Sequence, residues 1–88
     1  MEVPIIDGVL TLTKAKYQTT TMENNTTIVL PNVNSFTEIH LFFSTTSELT
    51  LTLPNIKWQI EPTIETNKTY EFIFTYANEW FGGCVVYV

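Results

Sequence analysis

Any chemistry in this chain has to come from very few residues. The 88-residue sequence holds one cysteine, Cys84, and one histidine, His40, the only members of a Cys–His pair. Such a pair works when the imidazole takes the thiol proton and frees a thiolate. Cys84, however, stands beside Val85 and Val86 in apolar strand text, where a small hydrophobe is expected. Glu61 and Glu65 lie on either side of Pro62 and invite comparison with the paired carboxylates of a glycosidase. They fall in loop text with nothing to position them, so solvated surface acids are the expectation. The sequence carries no Gly-rich phosphate loop, no His or Asp cluster at ligand spacing and no G-x-S-x-G. The expectation is a non-enzyme with no catalytic residue, no metal site and no cofactor.

Aromatic side chains offer a different kind of site. Trp58 follows a corner at Pro54, and Trp80 and Phe81 fall in text that reads as a loop, Ala77 to Gly83, ending in Gly82-Gly83. Loop tryptophans serve as stacking platforms for sugar rings or as anchors for protein partners. Trp80, Phe81 and Trp58 are therefore the candidate ligand or partner contacts. The competing reading makes both tryptophans plugs at the ends of a small core. It is preferred for Trp58, which Ile56 and Ile60 straddle, while for Trp80 both readings stand.

Composition narrows the partners. The net charge is −5 with no Arg, and four scattered Lys cannot displace counterions from a nucleic-acid backbone. Without Arg there is no bidentate recognition of phosphate or carboxylate. A single cysteine excludes an internal disulfide and a Cys-rich zinc site. No apolar run approaches the ~20 residues of a membrane helix, so no membrane insertion is expected. The opening Met1-Glu-Val-Pro is neither basic nor followed by an apolar stretch, and no signal peptide is expected. Asn24-Asn-Thr26, Asn25-Thr-Thr27 and Asn67-Lys-Thr69 match the N-glycosylation pattern, but Thr- and Asn-rich text produces such matches by composition. Only 15% of residues are charged, which suits a chain that hides surface in an assembly.

The elements that would position these residues are strands. Leu49-Thr-Leu-Thr-Leu-Pro-Asn-Ile-Lys-Trp58 alternates leucine with threonine until Pro54 ends the ladder, and Tyr70-Glu-Phe-Ile-Phe-Thr-Tyr76 repeats the alternation with aromatics. The two read as neighbouring strands of one core. Val9 to Thr13, Thr26 to Leu30, Glu38 to Phe43 and Cys84 to Val88 are further strands, with Lys14 to Tyr17 prolonging the first along an edge. Gln18 to Asn25 reads as a polar loop, Asp7-Gly8 and Asn67-Lys68 as turns, and Ser44 to Ser47 as a hairpin connector into the Leu49 strand. Leu30-Pro-Asn-Val33 and Leu53-Pro-Asn-Ile56 echo one another, as equivalent corners in two facing sheets would. The expected fold is all-β, a small antiparallel, jelly-roll-like sandwich of about 6–8 short strands with no significant helix. It fills residues 1–88 as one domain, with residues 1–7 as an extended N-terminal arm.

From Thr37 to Tyr76 the chain resembles a small β module of tail-fibre, baseplate and other virion proteins of tailed bacteriophages. The residues that carry the resemblance are Leu49-Thr-Leu-Thr-Leu-Pro-Asn-Ile-Lys-Trp58, Pro62 and Glu65-Thr-Asn-Lys-Thr-Tyr-Glu-Phe72, with Ile39-His-Leu-Phe-Phe43 similar to the preceding strand. The resemblance implies a non-enzymatic structural or adhesion module, commonly trimeric, with other virion proteins as partners. A chain made almost wholly of this module is expected to be a free-standing fibre, tail or head-decoration subunit, assembled in the host cytoplasm and carried on the virion. The alternative is a carbohydrate-binding module that meets a host-surface glycan through Trp80, Phe81 and Trp58.

Overall fold

The computed structural model describes residues 1–87. Nine strands are found: β1 (Ile5–Ile6), β2 (Val9–Thr11), β3 (Tyr17–Met22), β4 (Thr26–Val29), β5 (Thr37–Thr45), β6 (Leu51–Thr52), β7 (Lys57–Trp58), β8 (Thr69–Tyr76) and β9 (Trp80–Tyr87). They form two sheets in the orders β1-β2-β4-β6 and β3-β5-β8-β9-β7, the two layers of a small β-sandwich. Three of the nine are two-residue strands, which is why the sequence pattern points to fewer.

Pairing direction divides the molecule. From β2 to β6 the chain alternates between the two sheets, so each strand returns beside the one before last and runs parallel to it. Val9 lies beside Thr27, Tyr17 beside His40, and Thr26 beside Leu51. A crossover to the opposite sheet does here what a helix does in other parallel pairs. Most of the remainder is a conventional antiparallel hairpin, β8–β9, laid on β5, with the short β7 parallel to β9 and β1 antiparallel to β2. The sheets are thus mixed rather than uniformly antiparallel.

This winding accounts for several departures from the sequence pattern. β5 and β6 belong to different sheets, so Ser44 to Ser47 is a crossover and not a hairpin loop. The Leu49 segment and the Tyr70 strand likewise face each other across the core instead of pairing. The two Leu-Pro-Asn corners end neighbouring parallel strands of one sheet, β4 and β6. Lys14 to Lys16 bend away from β2 toward the other layer, and the Lys16 carbonyl accepts from the His40 amide at 2.6 Å.

The largest departure is β3, whose text reads as a loop. Its Gln18, Thr20 and Met22 are buried and alternate with exposed Tyr17, Thr19 and Thr21. Threonine is β-branched and fits a pleated strand. Gln18 is fully buried because its amide is satisfied: Nε2 donates to the carbonyls of Thr13 (2.8 Å) and Ala15 (2.7 Å), and Oε1 accepts from the Thr13 amide. A buried amide with all its partners is tolerated; an unpaired one would not be.

Residues 1–7 lie along the domain. The Val3 amide donates to the Thr19 carbonyl (2.9 Å), the Thr19 amide donates to Met1 (2.8 Å), and the Val3 side chain enters the core. Ile5 and Ile6 then pair with Leu10 and Val9 through Asp7-Gly8, both at positive φ (51° and 76°), the two-residue turn whose twist suits a hairpin.

The core is a slab of Ile39, Leu41 and Phe43 from β5 and Tyr70, Phe72 and Phe74 from β8, set against Leu10, Leu12, Ile28 and Val3. Phe72 is its hub, in edge contact with Phe43 (4.9 Å), Trp58 (5.5 Å) and Phe74 (5.9 Å). The long connection before β8 is pinned by two buried hydroxyls. Tyr70 Oη accepts from the Glu65 amide (2.7 Å), and Thr45 Oγ1 donates to the Glu65 carbonyl (2.6 Å).

Candidate functional site

Alternation on β5, β8 and β9 sends one set of side chains inward and the other to the outer face of the five-stranded sheet. His40 is on that outer face, opposite Ile73, whereas Cys84 faces inward, opposite Phe72. The sheet separates them, so they do not form a nucleophilic pair. Burial also pushes the Cys84 thiol up, toward its protonated form. Glu65 pairs with Lys68, while Glu61 borders a separate cavity with Pro62 and Cys84.

The three candidate aromatics separate as well. Trp58 packs into the core against Phe72 and Phe74, and its Nε1 donates to the Pro54 carbonyl. Gly82 makes this possible: a Cβ there would lie 2.6 Å from Trp58 Cε3. Trp80 and Phe81 are in β9 itself, since the loop is only Ala77-Asn78-Glu79 with Asn78 at φ 67°. They therefore point to opposite faces and cannot form one platform. Trp80 packs its ring edge against Tyr76 (5.4 Å) and borders an open groove with Asn55, Ile56, Lys57 and Glu79. Lys57 Nζ meets Glu79 Oε2 at 3.2 Å across that groove. Phe81 is on the outer face, with Val85 and Tyr87 at its own parity along β9.

That outer face holds an arrangement the sequence pattern does not disclose. His40 Nδ1 is 2.7 Å from Glu71 Oε2 and His40 Nε2 is 2.6 Å from Glu38 Oε2. Two carboxylates can only accept, so both ring nitrogens donate and the ring is an imidazolium. Burial opposes its charge, but the hydrogen bonds to Glu38 and Glu71 outweigh that, and the His40 pKa is raised. Its hydrogen bonds lower the pKa of Glu38, where Lys16 adds a further pull, and that of Glu71. Tyr87 Oη donates to Glu71 Oε1 at 2.8 Å, so the chain of contacts ties β5 to β8 and β8 to β9. Glu38 and His40, two apart on a strand, are legibly on one face. Glu71 joins them only through the β5–β8 register, which residue spacing does not reveal.

Beyond this tie the outer face carries threonine and serine on β3, β5 and β8, and most of its exposed apolar side chains gather along β9 and its rim. Phe81, Val85, Val86 and Tyr87 are each 40–46% exposed, and neighbouring Ile60 is 77% exposed. The chain matches no known protein family, no curated protein and no solved structure.

Proposed function

We propose that this chain is a non-enzymatic structural subunit that acts by assembly, a bacteriophage or prophage virion accessory protein of the fibre, tail or head-decoration kind. The observation that carries the reading is the apolar strip on the outer face of β9, Phe81, Val85 and Tyr87, exposed on a strand that the His40–Glu71–Tyr87 tie holds in place. Exposed apolar groups grouped on one rigid element mark interaction surfaces more often than solvated ones. The resemblance of residues 37–76 to virion modules supplies the kind of assembly, with copies of itself and other virion proteins as partners and the particle as its location. An antibody raised against the purified chain tests this on particles released from cells that carry its coding sequence. The reading predicts that the chain bands with the particles in a density gradient. A signal confined to the soluble fraction contradicts it.

The groove at Trp80 favours a second reading, a carbohydrate-binding role. A half-buried indole beside Asn55, Lys57 and Glu79 combines an apolar platform with hydrogen-bonding groups, the pairing a sugar ring requires. Tryptophan fluorescence that shifts with host cell-wall polysaccharide, and no longer does so in Trp80→Ala, supports this reading. An unchanged spectrum excludes it.

A further inference from the structure

We infer that residues 59–63 are a strap that closes onto β9, continuing the β7 ladder along Cys84 to Val86 and bringing Ile60 inside. The structure holds its open form. Closure covers the edge from within the chain, so it stands apart from the kind of assembly the chain joins.

The ladder is already in register where it stops. β7 runs parallel to β9, with Lys57 beside Phe81 and Trp58 beside Gly82. The Gln59 amide donates to the Gly82 carbonyl at 2.9 Å, and Gln59 Oε1 lies 3.9 Å from where a Cβ on Gly83 would stand. The next pair, Gln59 beside Gly83, is therefore half made. A bend at Gln59 and Ile60 then turns the chain away, and a cavity of about 300 Å³ opens between residues 59–63 and the side chains of Cys84 and Val86. Among the described residues the amides and carbonyls of Cys84 and Val86 have no backbone partner. Trp80 to Tyr87 contains no charged residue and no proline, so this edge, left open, is a template for foreign strands.

Continuing the parallel register sets Ile60 beside Cys84, Glu61 beside Val85 and Pro62 beside Val86. Each position then suits its residue. Trp58 and Gly82 face the core, so Ile60, Cys84, Pro62 and Val86 face it too. In the open form Ile60 is 77% exposed and Val86, despite its inward parity, 45% exposed; closure takes both from water. The Gln59 carbonyl accepts from the Cys84 amide, the Glu61 amide donates to the Cys84 carbonyl, and the Glu61 carbonyl accepts from the Val86 amide. Pro62, which has no amide to give, falls where an amide would point to solvent. The new outermost strand carries Glu61 and Pro62, a charge and a proline, the protections that β9 lacks. Both ends of the strap are held while it moves. Gln59 is bonded to Gly82, and Glu65 to Thr45 and to Tyr70, the β8 neighbour of Val86.

The test is a disulfide to Cys84, the chain's one native cysteine. In the closed form Ile60→Cys places a thiol directly beside Cys84, at a strand spacing within disulfide reach. Glu61→Cys is on the same strap but faces the other side of the sheet on closure. Both residues are exposed in the open form, so neither substitution should cost the fold much. With dilute protein and oxidised glutathione, Ile60→Cys should form the intrachain disulfide at least about tenfold faster than Glu61→Cys. Once it has formed, the Glu61 and Val86 amides should exchange hydrogen at least about tenfold more slowly than after reduction, because they are then in the ladder. Equal rates at positions 60 and 61, or no disulfide from position 60, would overturn the inference. So would a disulfide that leaves those two amides exchanging as they do in the reduced chain.

Discussion

Along β3 the outer edge of the five-stranded sheet is occupied: Met1 to Val3 exchange backbone hydrogen bonds with Thr19, and Val3 goes on into the core. Along β9 from Cys84 onward it has no ladder partner among the described residues, and Val85, Val86 and Tyr87 stand exposed. Both edges lie on the same sheet and pose the same physical problem of unpaired amides and carbonyls. One is solved inside the chain, so its residues hold the fold together. The other has no ladder partner among the described residues, so a change at an exposed side chain such as Val85 should cost the fold little. Stability and association should therefore separate by edge.

The largest effect is expected on the covered side. Val3→Asp would place an unpaired carboxylate among Leu10, Leu12 and Ile28 and should cost about 3 kcal/mol or more, read from urea unfolding. Next comes the boundary between the covered and the bare parts of β9. Gly82→Ala forces a Cβ against the Trp58 ring and should cost about 1–3 kcal/mol, with a shift in tryptophan emission. A smaller loss follows His40→Gln, which leaves the largely buried Glu71 short of its cation and should cost about 1–2 kcal/mol near pH 6.

The same tie gives a pH signature. The folded His40 pKa is raised above 6.5, so its contribution is complete below that value and is lost as pH climbs through the raised pKa. Glu38 and Glu71 are lowered below 4.5, so theirs is complete above 4.5 and is lost as pH falls through the lowered values. Stability from the tie should peak between the two, and a series of melts from pH 4 to 9 should lose its alkaline decline in His40→Gln. On the bare side Val85→Lys should change stability by no more than about 0.5 kcal/mol.

Much of the layering is legible in residue spacing. Leu10 and Leu12, Ile39, Leu41 and Phe43, and Tyr70, Phe72 and Phe74 recur at every second position, and all eight are buried. β3 is not legible, because Gln18 and Thr20 look like solvent-facing residues. What lets Gln18 go inside is a set of partners, Thr13 and Ala15, that only the bend at Lys14 to Lys16 brings to it. Pairing direction is hidden for a similar reason: parallel neighbours such as Thr26 and Leu51 are defined by crossovers, not by local text. At the aromatics, Gly82-Gly83 looks like loop flexibility. Gly82 in fact makes room for the Trp58 indole within a continuous strand, which sets Trp80 and Phe81 on opposite faces. The His40 tie and the bare edge share this obscurity, since both exist only once β5, β8 and β9 are in register.

The most direct measurement of the central claim is molar mass in solution by light scattering, for the native chain and Val85→Lys across the same concentration range. The account predicts a multiple of the 10.1 kDa chain mass for the native protein and a smaller mass for the variant. A native chain that stays monomeric at high concentration, or a variant that assembles as the native chain does, would contradict it.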